Sequence, residues 1–145
     1  MESVSLEDLE EVDLLLTGLE ISRGRGNLIL CSVASPAYRD RVIAAVATHF
    51  SSRVLAVERG DKLISDLRNA KAEKEEVLIW TLPERLSDDI LDALNNFREL
   101  FYDAGVPSLV FITPAGVDEI IWKAPDFWRY RGGYHILKGD AKGLG

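Results

Sequence analysis

One cysteine, two histidines and no long apolar run set the first limits on this 145-residue chain. A lone Cys31 cannot close an internal disulfide, and its place inside an apolar segment marks a buried, inert thiol. One cysteine and two histidines at unrelated spacings do not make a structural zinc site. No apolar stretch approaches the ~20 residues a membrane helix needs. The acidic start, MESVSLEDLEE, has neither the basic nor the apolar region of a secretory signal. A cytoplasmic chain without a membrane partner is the expectation.

A phosphate loop is lacking as well. Residues 27–43, NLILCSVASPAYRDRVI, read as a core strand that turns at a Ser-Pro corner into a helix, and open α/β sheets bind ligands outside such strand ends. The corner at residues 33–38 has no glycine to let backbone N–H groups wrap an anion, and no lysine to meet a terminal phosphate. Pro36 removes one more N–H. A Mg²⁺-dependent phosphoryl site also wants an acid at the end of a central strand. Here Val77-Leu78-Ile79-Trp80 is followed by the uncharged Thr81. Glu84 stands behind Pro83, reads as a helix-entry surface residue, and reaches inward only if the loop bends back. Ser35, Tyr38, Thr81, Glu84 and Thr113 therefore mark the positions of a degenerate nucleotide site. His49 and His135 lie far from any nucleophile in sequence and read as structural. No catalytic residue, metal ligand or cofactor is assigned, and the chain is expected not to be an enzyme.

What is present builds one domain. A hydrophobic content of 47% with 28% charged residues excludes a disordered chain and suits a single core. The net charge of −7 is unevenly placed. Residues 1–20 hold seven acids (Glu2, Glu7, Asp8, Glu10, Glu11, Asp13, Glu20) and no base, leaving the remainder neutral with 17 acids against 17 bases. Nucleic-acid binding, which needs a basic surface, is not expected. An acidic helix at residues 1–22 is, with Ser5 and Asp8 at its start and Leu6, Leu9, Val12, Leu15, Leu16 and Leu19 at helical spacing. That stripe suits covering one face of a sheet, or docking on a basic partner.

The α/β domain spans residues 23–138, and residues 139–145 read as a flexible tail. After the first strand and the helix capped by Ser35, the pattern predicts a second strand at residues 53–58 and a polar helix from Gly60 to about Ala72. A third strand follows at residues 76–83, then one long helix from Ser87 to the left-handed stop at Gly105. A fourth strand, SLVFIT, closes at Pro114-Ala115-Gly116. A short helix at residues 118–123 and a fifth strand at residues 134–138 end the domain. Strands alternating with helices at this spacing predict a doubly wound, mainly parallel five-stranded sheet.

The densest feature is residues 124–134, APDFWRYRGGY, with four aromatics, two arginines and paired glycines. Trp and Arg are enriched at binding hot spots, so Asp126, Phe127, Trp128, Arg129, Tyr130 and Arg131 form a candidate interaction surface. The alternative is that Phe127 and Trp128 pin the last helix to the sheet while Asp126 and Arg129 cap and pair. Trp80 and Trp122 read as core.

Three pieces, Leu94-Asn95-Asn96-Phe97-Arg98-Glu99, the strand ending at Pro114, and Ala124-Pro125-Asp126-Phe127-Trp128-Arg129-Tyr130-Arg131, occur in the order seen in a known group. Together they resemble the amino-terminal domain of bacterial tetratricopeptide-repeat signalling and conflict proteins. That domain is similar to a STAND-type P-loop NTPase domain whose nucleotide motifs have decayed. The resemblance covers residues 25–138 and implies a RecA-like sheet and a role in regulated assembly or antiviral defence. Asn95, Arg98, Pro125, Asp126, Trp128 and Arg131 match its motifs. The relatives continue into helical repeats where this sequence stops, which implies either a partner, a repeat or effector protein, supplied by another chain, or a sequence that is a fragment of a larger protein. Two alternatives stay open. Thr113 and Lys138 match the threonine and lysine positions of a receiver domain, although its phospho-accepting acid would fall near Thr81. An enzyme with an unconventional nucleotide or small-molecule site at Ser35, Tyr38, Thr81 and Thr113 is the other.

Overall fold

The computed structural model describes residues 4–139, so all of the expected tail at residues 139–145 except Gly139 lies outside them. A 3₁₀ turn at Leu6–Asp8 leads into α1 (Leu9–Ile21). The order is then β1 (Asn27–Ser32), α2 (Pro36–Ala47), β2 (Ser51–Ala56), α3 (Gly60–Asn69), β3 (Glu76–Thr81), α4 (Asp88–Asn96), α5 (Glu99–Asp103), β4 (Pro107–Ile112), α6 (Pro114–Lys123), α7 (Pro125–Arg129) and β5 (Gly133–Ile136). All pairings are parallel, in the spatial order β2-β3-β4-β1-β5. The expected fold class holds.

Alternation along each strand divides the core in two. Leu28, Leu30, Leu78, Trp80, Val110 and Ile112 face α3 to α7. Ile29, Cys31, Val77, Ile79, Leu109 and Phe111 face α1 and α2. β1, β3 and β4 are buried almost throughout, as near-continuous apolar runs in a two-faced sheet should be. α1 belongs to this core through Val12, Leu15 and Leu19. Burial pushes the Cys31 thiol far above its ordinary range, consistent with an inert residue.

Several expectations need correcting. The long helix from Ser87 breaks into α4 and α5, because Phe97 leaves helical geometry (φ −119°, ψ 26°) and the Asn95 carbonyl accepts from the Arg98 guanidinium. Gly105 still supplies the left-handed stop, at φ 77°. The chain at Pro114 does not merely close a strand. It opens α6, with Thr113 as N-cap accepting from the Gly116 amide at 3.0 Å. β2 begins at Ser51, earlier than expected, because edge pairing needs no apolar residue on its outer side. Leu6 and Leu9 are exposed, since the 3₁₀ turn offsets the first apolar residues from the α1 stripe. Trp122 is not core: it is 81% exposed on α6. The order also removes the receiver reading, since receiver-type sheets run 2-1-3-4-5 and here β1 lies between β4 and β5.

Candidate functional site

The sheet has its topological switch at β1 and β4. β1 exits into α2 on one face while its neighbour β4 exits into α6 on the other, and such diverging exits open a crevice at the strand tips. The crevice is there, with a volume of about 250 Å³. Val33, Leu82, Phe111 and Ile112 form its apolar lining, Pro36 and Pro83 flank it, and Arg39 and Glu84 contribute the charge. Of the five degenerate-site positions, Ser35, Glu84 and Thr113 line this cleft.

Tyr38 and Thr81 do not, which corrects the expectation. Thr81 is buried between β2 and β4, in register with Ala56 and Phe111. Tyr38 is 2% exposed and turns into the core under α1. Its hydroxyl donates to Asp8 Oδ2 at 2.6 Å and accepts from the Ser5 amide at 3.0 Å. Asp8, itself buried, also accepts from the amides of Lys138 and Gly139, each at 2.8 Å. Three donors on one carboxylate satisfy a group that would be costly to bury otherwise. Lys138 thus serves through its backbone, tying the exit of β5 to the entrance of α1.

The first turn of α2 has few donors left for an anion. Ser35 Oγ accepts from the Tyr38 amide at 3.1 Å, the Arg39 amide goes to the Ser35 carbonyl at 2.9 Å, and Pro36 has no N–H. No described residue in the corner has positive φ, so the alternating conformations that form an anion nest are absent there. Thr113 Oγ1 is likewise occupied, capping α6 and donating to the Glu84 carbonyl at 3.3 Å. Glu84 itself is exposed. Among the described residues no cluster of three His, Cys, Asp or Glu could hold a metal ion, and no helix is long and apolar enough to cross a membrane.

The aromatic-arginine segment is mostly tied down. Phe127 is fully buried against Phe101, with ring centroids 5.7 Å apart, so it is a packing residue and leaves the candidate contact surface. Asn95 Oδ1 accepts from the amides of Asp126 and Phe127 at 2.9 and 3.1 Å, so an α4 side chain caps α7. Trp128 is half-buried, edge-on to Tyr134, with the Arg131 guanidinium 4.1 Å from its ring centre. Arg131 also donates to the Trp128 carbonyl at 2.6 Å. Arg129 pairs with Asp126 at 3.1 Å. Tyr130 stacks edge-on with Tyr102, whose hydroxyl donates to the Tyr130 carbonyl at 2.7 Å. Asp126, Arg129 and Tyr130 remain exposed.

Both histidines are satisfied structurally. His135 Nδ1 meets Glu11 Oε2 at 2.7 Å, and His49 lies against the Ala45 carbonyl at 3.1 Å. Sequence reasoning missed Asp8 as a tertiary hub, reading it as a helix-start acid. It also missed the exposure of Trp122, flanked by Ile121 at 46%. The 3.6-residue period carried that second signal, because Val117 and Ile120 already fill the inward face of α6.

No protein-family model matches the chain, and neither does any curated protein sequence. Solved structures do. The chain is similar to Aeropyrum pernix Orc1, solved in complex with DNA, at 14% identity and a TM-score of 0.57, over 94% of this chain and 46% of that one. It is also similar to the Thermotoga maritima RuvB Holliday junction branch migration motor, at 16% identity and a TM-score of 0.47, over 92% of this chain and 47% of that one. The fold is P-loop NTPase-like. The chain spans less than half the length of either neighbour, and at this identity the likeness concerns the fold alone.

Proposed function

We propose that this chain is a non-catalytic protein-interaction or regulatory module of the inactive STAND NTPase type, working in bacterial signalling or defence in the cytoplasm. The observation that carries this reading is the donor-poor corner after β1. Where a P-loop NTPase-like sheet needs a ring of free N–H groups, the first turn of α2 is satisfied by Ser35 and interrupted by Pro36. Thr81 at the end of β3 adds weight, because it cannot serve as the metal-holding acid.

The surface supports a protein partner, a repeat or effector protein on another chain. Trp122 and Ile121 on α6, and Leu14 and Ile21 on the outward side of the acidic α1, present large apolar groups to solvent. Asp126, Arg129 and Tyr130 lie on the exposed side of the aromatic-arginine segment. Neither a nucleic acid nor a nucleotide cofactor is part of this reading. Titration calorimetry with ATP and Mg²⁺, together with a phosphate-release assay, tests it. The expected result is no heat and no turnover; micromolar binding with turnover sinks the reading.

A further inference from the structure

The strand-tip cleft retains a shape that suits something other than phosphate. We infer that it receives one large apolar side chain, a leucine, phenyl or indole group, carried by a peptide segment of a protein partner; this rests on the interaction-module reading and gives it a site.

Three observations lead there. The first is size. A cavity of about 150 Å³ lined by aliphatic and aromatic groups admits benzene, whereas pockets for whole small-molecule ligands start near ~300 Å³. At about 250 Å³ this cleft matches a single side chain and is small for a nucleotide.

The second is the polar inventory. Ser35 Oγ is engaged in capping α2, and Thr113 Oγ1 in capping α6 and holding the Glu84 carbonyl. Val33, Leu82, Phe111 and Ile112 make the lining mostly apolar, and these two hydroxyls are already engaged, which suits an apolar anchor residue of the kind found at protein interfaces.

The third is the pair of charges. Arg39, on α2 after β1, and Glu84, in the loop after β3, both line the cleft, and β4 lies between those two strands in the sheet. A peptide offers a carbonyl on one side of its side chain and an N–H on the other, so a donor and an acceptor flanking an apolar hole match its backbone. The ion pair of Arg39 with the adjacent Asp40, at 3.2 Å, is the weak surface type that yields readily.

Methyl NMR of the full chain, following Val33, Leu82 and Ile112, tests this with N-acetyl-tryptophanamide and N-acetyl-leucinamide as probes. N-acetyl-glycinamide and ATP with Mg²⁺ are the controls. Saturable shifts with the two apolar amides at low millimolar concentration, and none with glycinamide, are expected. Ala34→Trp, which crowds the mouth from an exposed position, should abolish them. Arg39→Glu should weaken them about threefold while leaving the melting temperature unchanged. Equal shifts with glycinamide, no saturable shift with either apolar amide, or an unaltered response in Ala34→Trp would each overturn the inference. Displacement of tryptophanamide by ATP would overturn it together with the non-catalytic reading. Silence from every probe would overturn the pocket alone.

Discussion

The hydroxyl of Tyr38 donates a 2.6 Å hydrogen bond to Oδ2 of Asp8, 30 residues earlier in the chain. This contact takes a side chain from the edge of the strand-tip corner and spends it on architecture. Asp8 in turn holds the amides of Lys138 and Gly139, so the start of α1, the first turn of α2 and the exit of β5 meet at one carboxylate.

Removing the donor tests that role. Tyr38→Phe keeps the packed ring and deletes a hydrogen bond to a charged group, a change of about 1.5–3 kcal/mol in stability. Urea denaturation should show a lower midpoint with an unchanged slope. Asp8→Ala should cost more, since it strands three donors, and amide exchange at Lys138 and Gly139 should accelerate in it.

Asn95 has its main work in α7. Asn95→Ala removes the oxygen that accepts from two otherwise unpaired amides, and a lost cap costs about 0.5–2 kcal/mol. Hydrogen exchange should rise at Asp126 and Phe127 and stay unchanged at β3, which would mark the effect as local.

The three tryptophans separate by environment. Trp80 is fully buried and its indole N–H donates to Ser108 Oγ at 3.0 Å, so Trp80→Ala should destabilise by about 3–5 kcal/mol. Trp122→Ala should fall within about ±0.5 kcal/mol of the parent. The same Trp122 substitution should remove most of the iodide-quenchable fluorescence, because Trp122 stands 81% exposed. Retention of that signal would place the exposed indole elsewhere.

Glu76 supplies a pH dependence. Its hydrogen-bonded pair with Arg53, and then the Glu73 amide, hold its carboxyl below the usual carboxylate range despite partial burial. A folded-state value below the unfolded one means that its contribution is fully present above the unfolded pKa of about 4.3. It is then lost as pH falls through the lower folded value. Stability measured from pH 7 downward should therefore lose less in Glu76→Gln than in the parent across that acidic window.

Much of this protein is local enough to be read along the chain. The apolar runs of β1, β3 and β4, the Ser35-Pro36 start of α2, the stop at Gly105 and the missing glycines and acid of a phosphate site depend on residue type and near neighbours. Backbone sterics, capping and the two-residue and 3.6-residue periods therefore sufficed for the α/β class and for the position of the cleft. The remaining features were settled by groups far apart in sequence competing for the same atoms. Phe97 broke the long helix where Arg98 and Asn95 turned to other partners, and Thr113 became a cap because Pro114 begins a turn of α6. Tyr38 left the cleft because Asp8, buried beneath α1, offered its hydroxyl a charged acceptor, and Trp122 faced outward because Val117 and Ile120 had filled the inward side. Periodicity says which residues share a face. Only the packed structure decides which face finds a neighbour, because burial free energy depends on atoms that the local sequence does not contain.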